Sequence, residues 1–240
     1  MDKARQDGGP IFKSLVALAT ILSLGCQAQF SQFKSFNPNI ATLEIQCVST
    51  EDSVIDLGAF VFKISAGSVL ASGSGTWLGK GNVLTAAHVV TGCAQVEGAL
   101  RDLDSGALLS PVKVDNAIDL ALLSSSIDLE SGPARVAFFE PQIGDRITMW
   151  GFPMGNDTRV VTSGLISGWI DADYGDGLLK HQWLTDTQGI NGCSGGGVYD
   201  IRGHLIGVYV GGTQWGQADR PYALGLIVPW ADLKEFLKDI

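Results

Sequence analysis

The sequence predicts an all-β protein, a barrel or sandwich built from two successive runs of strands and closed by one short helix. Three observations carry this reading. Short segments rich in β-branched and aromatic residues recur at close spacing, separated by Gly, Ser, Asn or Asp. Glycine is abundant, 31 of 240 residues, and aperiodic, which suits many tight turns rather than a repeat. Long helical periodicity is missing until the final stretch, "WADLKEFLKDI".

The N-terminus reads as an export signal. Lys3, Arg5 and Lys13 make a weakly basic start, diluted by Asp2 and Asp7. The apolar run "SLVALATILSLG", Ser14 to Gly25, is too short to span a bilayer comfortably and fits a signal-peptide core. Two exits are open. "SLGC" resembles a lipobox ending at Cys26, with Ser23 where Leu is usual, and implies lipidation of Cys26. Alternatively, a signal peptidase cuts after Ala28, with small Cys26 and Ala28 at the two required places. An uncleaved N-terminal helix is the alternative to export. Residues 1–28 are thus expected as a leader and 29–39 as a polar linker, ahead of a first β-unit over 40–132 and a second over 133–240.

The first series of strand-like segments is "ATLEIQCV", "AFVFKI", "SGTWLG", "NVLTAA" and "PVKVDNAIDLALLS". Gly132-Pro133 makes a break. The second series is "ARVAFF", "DRITMWGF", "RVVTSGLISGWI", "KHQWLTDT", "GGVYD", "HLIGVYVGG" and "ALGLIVP". In the closing helix Trp230, Leu233, Phe236, Leu237 and Ile240 share one face, which would pack on the body.

Charge and cysteine content narrow the function. Net charge is −9 and the sequence pI is about 4.7, a poor match to nucleic acid or anionic lipid. The four cysteines, Cys26, Cys47, Cys93 and Cys193, form no CxxC and no metal-ligand spacing, so neither metal nor cofactor is expected. In an oxidising compartment Cys47 and Cys93 are candidates for a disulfide; the alternative is that both are small buried hydrophobes.

Only three histidines exist. His181 sits in an alternating strand and His204 follows a turn, so both read as surface or strand residues. His88 ends "VLTAAH", where two small alanines would let an imidazole face a cleft at a strand end. Asp119 lies in the apolar run "AIDLALL", where an acid is costly to bury unless paired. A histidine N–H is a natural partner, since an acid behind it fixes the tautomer and steadies the imidazolium. Then "INGCSGGGVYD" sets two nucleophile candidates, Cys193 and Ser194, side by side in a glycine-rich turn.

His88, Asp119 and Ser194 follow in the order His, Asp, Ser. With "SGSGTWLGKGNVLTAAHVV", "DLALL", "WGFPMGN", "VTSGLISG", "TDTQGINGCSGG", "HLIGVYVGG" and "GLIVP", the chain resembles a chymotrypsin-fold, trypsin-like serine peptidase, closest to the protease domain of the bacterial Deg/HtrA type. These blocks keep the family's order over most of residues 70–230. The resemblance implies two six-stranded antiparallel β-barrels with the active site between them. It implies His88, Asp119 and Ser194 as catalytic triad, with the N–H groups of Gly192 and Ser194 as oxyanion hole. It also implies that Gln188 lines the base of the P1 pocket while Tyr209, Val210 and Gly211 pair with substrate backbone. With neutral Gln188 there, a small or medium uncharged P1 residue is expected.

"GCSGG" also matches the nucleophile elbow of α/β-hydrolases. That fold needs an acid and then a histidine after the serine. Here Asp200 and His204 follow too closely to leave room for the intervening elements. In cysteine-nucleophile relatives of the chymotrypsin fold, the cysteine stands just before the paired glycines. That place is Ser194's, so Cys193, one residue early, should aim away from His88. Cys193 departs from the family's usual Asn or Asp and reads as a small packed hydrophobe or a redox handle. The chain ends at Ile240, so the PDZ modules common in the family are not expected, and "STEDSVIDLG" falls where the family carries a regulatory loop.

The sequence therefore predicts an exported serine endopeptidase acting on proteins or peptides, with no nucleic-acid partner. A membrane contact would come only through a lipidated Cys26, and no oligomeric state is implied. The alternative is a latent or inactive protease-fold protein acting as a binding or chaperone-like surface protein.

Overall fold

The computed structural model describes residues 37, 41–50, 53–56, 61–64, 66–93, 95–99, 107–125, 132–155, 158–173, 179–215 and 222–240. The expected leader with Cys26 and nearly all of the expected linker lie outside the described residues, as does part of "STEDSVIDLG".

The first barrel contains β1 (Thr42–Val48), β4 (Val69–Gly79), β5 (Asn82–Thr85), β6 (Gln95–Ala99), β7 (Ala107–Asp115) and β8 (Leu120–Ser125). They close in the order β1-β4-β5-β8-β7-β6, every neighbouring pair antiparallel. Closure removes the sheet edges that would otherwise expose unpaired backbone groups. Between β1 and β4 a small hairpin joins β2 (Ser53–Asp56) to β3 (Val61–Ile64), so the segment expected as a regulatory loop includes a strand.

The second barrel closes β10-β11-β14-β13-β12-β9, from β9 (Arg146–Gly151), β10 (Val160–Asp173), β11 (Leu179–Thr185), β12 (Gly197–Asp200), β13 (Leu205–Trp215) and β14 (Tyr222–Val228). The fold is thus the two six-stranded antiparallel barrels expected of a chymotrypsin-like chain. Two helices are described: α1 (Ala87–Val90) and α2 (Trp230–Leu237).

Alternation along the strands builds two apolar clusters. One runs from Leu43, Ile45, Val83, Leu120 and Leu123 of the first barrel, through Tyr199, to Leu205, Val208 and Leu226. Leu233 and Phe236 of α2 seal its end, while Ile240, expected on the same face, lies beyond the helix and is exposed. The other cluster fills the second barrel with Ile147, Met149, Ile166, Val198, Ile206 and Ile227. Among the described residues no helix is long and apolar enough to cross a membrane.

Two expectations about local structure are corrected. His88 does not end a strand: β5 stops at Thr85, and the chain turns at Ala86 into the four-residue α1, where His88 is the second residue. Asp119 is not inside a strand either. It has φ +61° and closes the turn just before β8. Asp115 makes that turn by accepting the Ala117 N–H at 2.9 Å, an Asx-type contact.

Candidate functional site

Two small residues and one distant acid shape α1. Ala86, at its N-cap, offers no side-chain acceptor. Asp119 supplies the missing cap from the entry to the neighbouring strand β8: its carbonyl takes the Ala87 N–H at 3.2 Å and its Oδ1 takes the His88 N–H at 2.9 Å. The other carboxylate oxygen, Oδ2, lies 2.8 Å from His88 Nδ1. Asp119 is 5% exposed, whereas the His88 side chain is half exposed. A buried carboxylate therefore holds both the main chain and the ring of one histidine. This contact makes Nδ1 the protonated nitrogen and leaves Nε2 with its lone pair free.

The turn 190–196 stands opposite, at the start of β12. Gly192 and Gly195 have φ of +93° and +89°, the left-handed region that glycine adopts at no steric cost. A Cβ at Gly195 would lie 2.1 Å from the Ser74 carbonyl and 3.0 Å from the Ala86 nitrogen. The turn thus passes directly over the Ala86 main chain at the entry to α1. Gly73 sits between the two halves, since a Cβ there would strike Val89 of α1 at 2.6 Å and the Ser194 carbonyl at 2.9 Å.

Hydrogen bonds fix the turn from all sides. Cys193 N–H donates to Ile190 O at 3.0 Å, Gly195 N–H to Tyr209 O at 2.7 Å, and Gly196 N–H to Cys193 O at 3.0 Å. From the first barrel, Ser74 N–H donates to Ser194 O at 2.7 Å. Met154, itself at φ +58°, donates its N–H to Asn191 O at 2.5 Å. Among the described residues the N–H groups of Gly192 and Ser194 have no acceptor. Donors left without partners in the turn that carries a serine hydroxyl are groups a developing anion could use.

Ser194 Oγ donates to the Val210 carbonyl at 3.5 Å, and no hydrogen bond joins it to His88. Val210 is available because β13 bulges there: Tyr209 faces Ile227 and Gly211 faces Leu226, leaving Val210 unpaired with β14. Cys193 goes the other way. It is 4% exposed, packs in the second barrel's core, and burial pushes its thiol pKa up.

A cavity of about 470 Å³ opens beside Ser194. Gln188, Gly189, Asn191, Tyr209, Gly211 and Gly225 are among its walls. Gln188 lies on an exposed stretch. Tyr209 is 2% exposed, and its ring fills the space a side chain at Gly189 or Gly225 would need, at 2.5 and 2.9 Å. Its hydroxyl donates to Gly189 O at 3.1 Å. His181 and His204 lie apart from this group, each with its own carboxylate, Asp171 at 3.0 Å and Asp200 at 3.2 Å. Cys47 and Cys93 form a disulfide that ties β1 to the segment after α1. Sequence reasoning missed Ser74 and Met154. The signal for Ser74 was the flanking pair Gly73 and Gly75, which marks close backbone approach.

Residues 73–208 match the trypsin-like peptidase domain family. The chloroplastic Protease Do-like 2 of Arabidopsis thaliana is 31% identical over 173 residues, covering 70% of this chain and 28% of that protein. A probable periplasmic serine endoprotease, DegP-like, of Rickettsia prowazekii is 33% identical over 134 residues, 53% of this chain and 25% of that one. The chain thus spans between 25% and 28% of the length of these curated relatives. Among solved structures, the active form of the Rv3671c protease from M. tuberculosis superposes with a TM-score of 0.65 at 21% identity, covering 85% of this chain and 82% of that one. The serine endoprotease from Yersinia pestis gives 0.60 at 24% identity, covering 84% and 62%. At these identities the two structures speak to fold.

Proposed function

The chain belongs to the trypsin-like peptidase family, and from that premise we propose that it is an exported serine endopeptidase working through His88, Asp119 and Ser194. The observation that carries this is the two-point hold of Asp119 on His88, 2.8 Å to the ring and 2.9 Å to the main chain. It sets the imidazole in the one tautomer that can accept a proton at Nε2. Ser194 Oγ, turned from Val210 toward His88, attacks the scissile carbonyl while Nε2 takes its proton. Catalytic hydrogen bonds of this kind tighten when substrate binds. The unpaired N–H groups of Gly192 and Ser194 receive the developing oxyanion. Collapse of the tetrahedral intermediate passes the proton from His88 to the leaving amine, and water then hydrolyses the acyl-enzyme by the same path.

Substrates are proteins or peptides, and the Tyr209 floor favours a small or medium uncharged P1 side chain. Export is supported by the apolar run Ser14–Gly25 and by the Cys47–Cys93 disulfide, a bond of oxidising compartments. Labelling with a palmitate analogue, lost in Cys26→Ser, would establish anchoring; persistence of a soluble form cut after Ala28 would establish simple secretion.

The test is a fluorophosphonate probe on the purified protein, with the adduct located by mass spectrometry. An adduct on Ser194 that disappears in Ser194→Ala and His88→Ala supports the reading. No adduct in a folded protein refutes it. The Ser194–Val210 contact would then favour the second reading, a latent protease-fold protein that binds rather than cleaves.

A further inference from the structure

We propose that Ser74 is a positioning residue for the oxyanion hole, holding the nucleophile turn from the opposite barrel; this rests on the peptidase reading above. Ser74 lies on β4, fully buried, 118 residues from its partner in the turn. Its hydroxyl donates to Gly192 O at 2.7 Å and accepts the Phe152 N–H at 2.8 Å. Its N–H donates to Ser194 O at 2.7 Å, and its carbonyl takes the Thr85 hydroxyl at 2.7 Å. Every polar atom of Ser74 is thus committed, and two of them grip the turn.

The gripped atoms are well chosen. The peptide between Gly192 and Cys193 lies between the two donors that the oxyanion would use. Gly192, without a Cβ, has the backbone freedom to rotate that peptide. Anchoring its carbonyl to Ser74 Oγ removes this freedom and fixes the Gly192 N–H relative to the Ser194 N–H. Space is arranged for the grip: a Cβ at Gly151 would lie 3.0 Å from Ser74 Oγ and 3.1 Å from Cys193 Cα. Oxyanion stabilisation depends on donors placed in advance, so losing the anchor should cost rate rather than binding.

Ser74→Ala in the full chain tests this. The expected result is a fall in kcat on the order of 10²-fold, the cost of misplacing a reacting group by about 1 Å, with KM within about threefold. Affinity for a peptidyl trifluoromethyl ketone, whose oxyanion occupies the hole, should fall by the same factor as kcat/KM. A kcat within about threefold of the parent, or a loss of kcat with ketone affinity unchanged, overturns the proposal. Ser74→Cys fills the same space with a weak donor and is read by the same ratio if the alanine variant does not fold. Amide exchange over residues 190–196 separates this proposal from the peptidase reading. Exchange there should rise at least about tenfold in the variant while the strands stay protected. If the parent hydrolyses nothing but that rise is seen, the positioning role stands and the peptidase reading fails. Unchanged exchange overturns the positioning role.

Discussion

Replacing Asp119 by Asn tests the tautomer argument with little disturbance to the backbone. Asn tolerates the φ of +61° found at Asp119, so the turn into β8 survives. The two contacts of the carboxylate, however, go to two donors: the His88 N–H at 2.9 Å and the ring nitrogen at 2.8 Å. An amide has one oxygen to offer. If that oxygen stays on the fixed main-chain N–H, the NH2 faces Nδ1, which must give up its proton to accept it. Nε2 then carries the hydrogen and cannot deprotonate Ser194. If the amide flips, the ring keeps its tautomer but the NH2 opposes the His88 N–H in a buried site. Leaving such donors unsatisfied costs about 2 kcal/mol, which favours the unproductive tautomer roughly 30-fold. Loss of the charged hydrogen bond to the imidazolium costs about 1.5–3 kcal/mol more, roughly 10- to 150-fold. Together kcat should fall on the order of 10³-fold while KM holds. Steady-state hydrolysis of a fluorogenic peptide reads this, with thermal melting as the folding control. A folded Asp119→Asn protein within tenfold of the parent kcat would refute the argument.

Three further outcomes follow from the same contacts. Removing the disulfide by Cys47→Ser with Cys93→Ser frees a loop closed over a separation of 46 residues, worth about 4 kcal/mol by the chain-entropy relation; urea unfolding should show it, and a change under about 1 kcal/mol would contradict it. Tyr209→Val should deepen the cavity and raise kcat/KM for Leu or Phe at P1 over Ala by roughly tenfold, given about 0.8 kcal/mol per newly buried methylene; an unchanged ratio across a P1 series would show that the ring does not floor the pocket. Burial, with Cys193 adding to it, pushes the Tyr209 phenol up to about 12, above its unfolded value of about 10. The folded state therefore holds this proton more tightly. Stability from Tyr209 is full below about pH 10 and is lost as pH rises from about 10 toward 12. Tyr209→Phe should flatten that part of the unfolding curve.

The barrels were legible because alternation and turn chemistry are local signals, and twelve strands among the described residues repeat them. What failed was local structure imposed from a distance. The α1 helix has four residues, too few for a helical period, and it takes its cap from Asp119 rather than from its own sequence. Asp119 reads as part of an apolar run because the turn that releases it is made by Asp115, four residues earlier. The site divides in the same way. His88, Asp119 and Ser194 announce themselves by residue type and order. Ser74 does not, because a serine between glycines has no chemical signature until the fold brings Gly192 to it. The resemblance places Tyr209 on the strand that pairs with substrate backbone and gives its side chain a part in shaping the pocket, but not a place beneath two glycines. Its burial beneath Gly189 and Gly225 depends on β13, β14 and the loop before the turn meeting at one point.

The neighbouring cysteine and serine of the turn are sorted by backbone geometry, and that sorting has its own test. Gly192 at φ +93° and Gly195 at φ +89° bend the chain so sharply that adjacent side chains leave on opposite sides. Ser194 faces the cleft and the Val210 carbonyl. Cys193 enters the second barrel's core beside Met149 and Tyr209, its Cα against the bare face of Gly151. Burial raises its thiol pKa, so the reactive thiolate is depleted at neutral pH as well as enclosed. Iodoacetamide at pH 7.5 should therefore leave Cys193 unmodified in the native protein, with labelling at least about 10³-fold slower than in urea, as for a site reached only through opening of the fold. Peptide mass spectrometry over a labelling time course reads this directly. Native-state labelling within about tenfold of the unfolded rate would mean that the thiol shares the cleft with Ser194. The separation of the two side chains, and with it the assignment of Ser194 rather than Cys193 as nucleophile, would then be wrong.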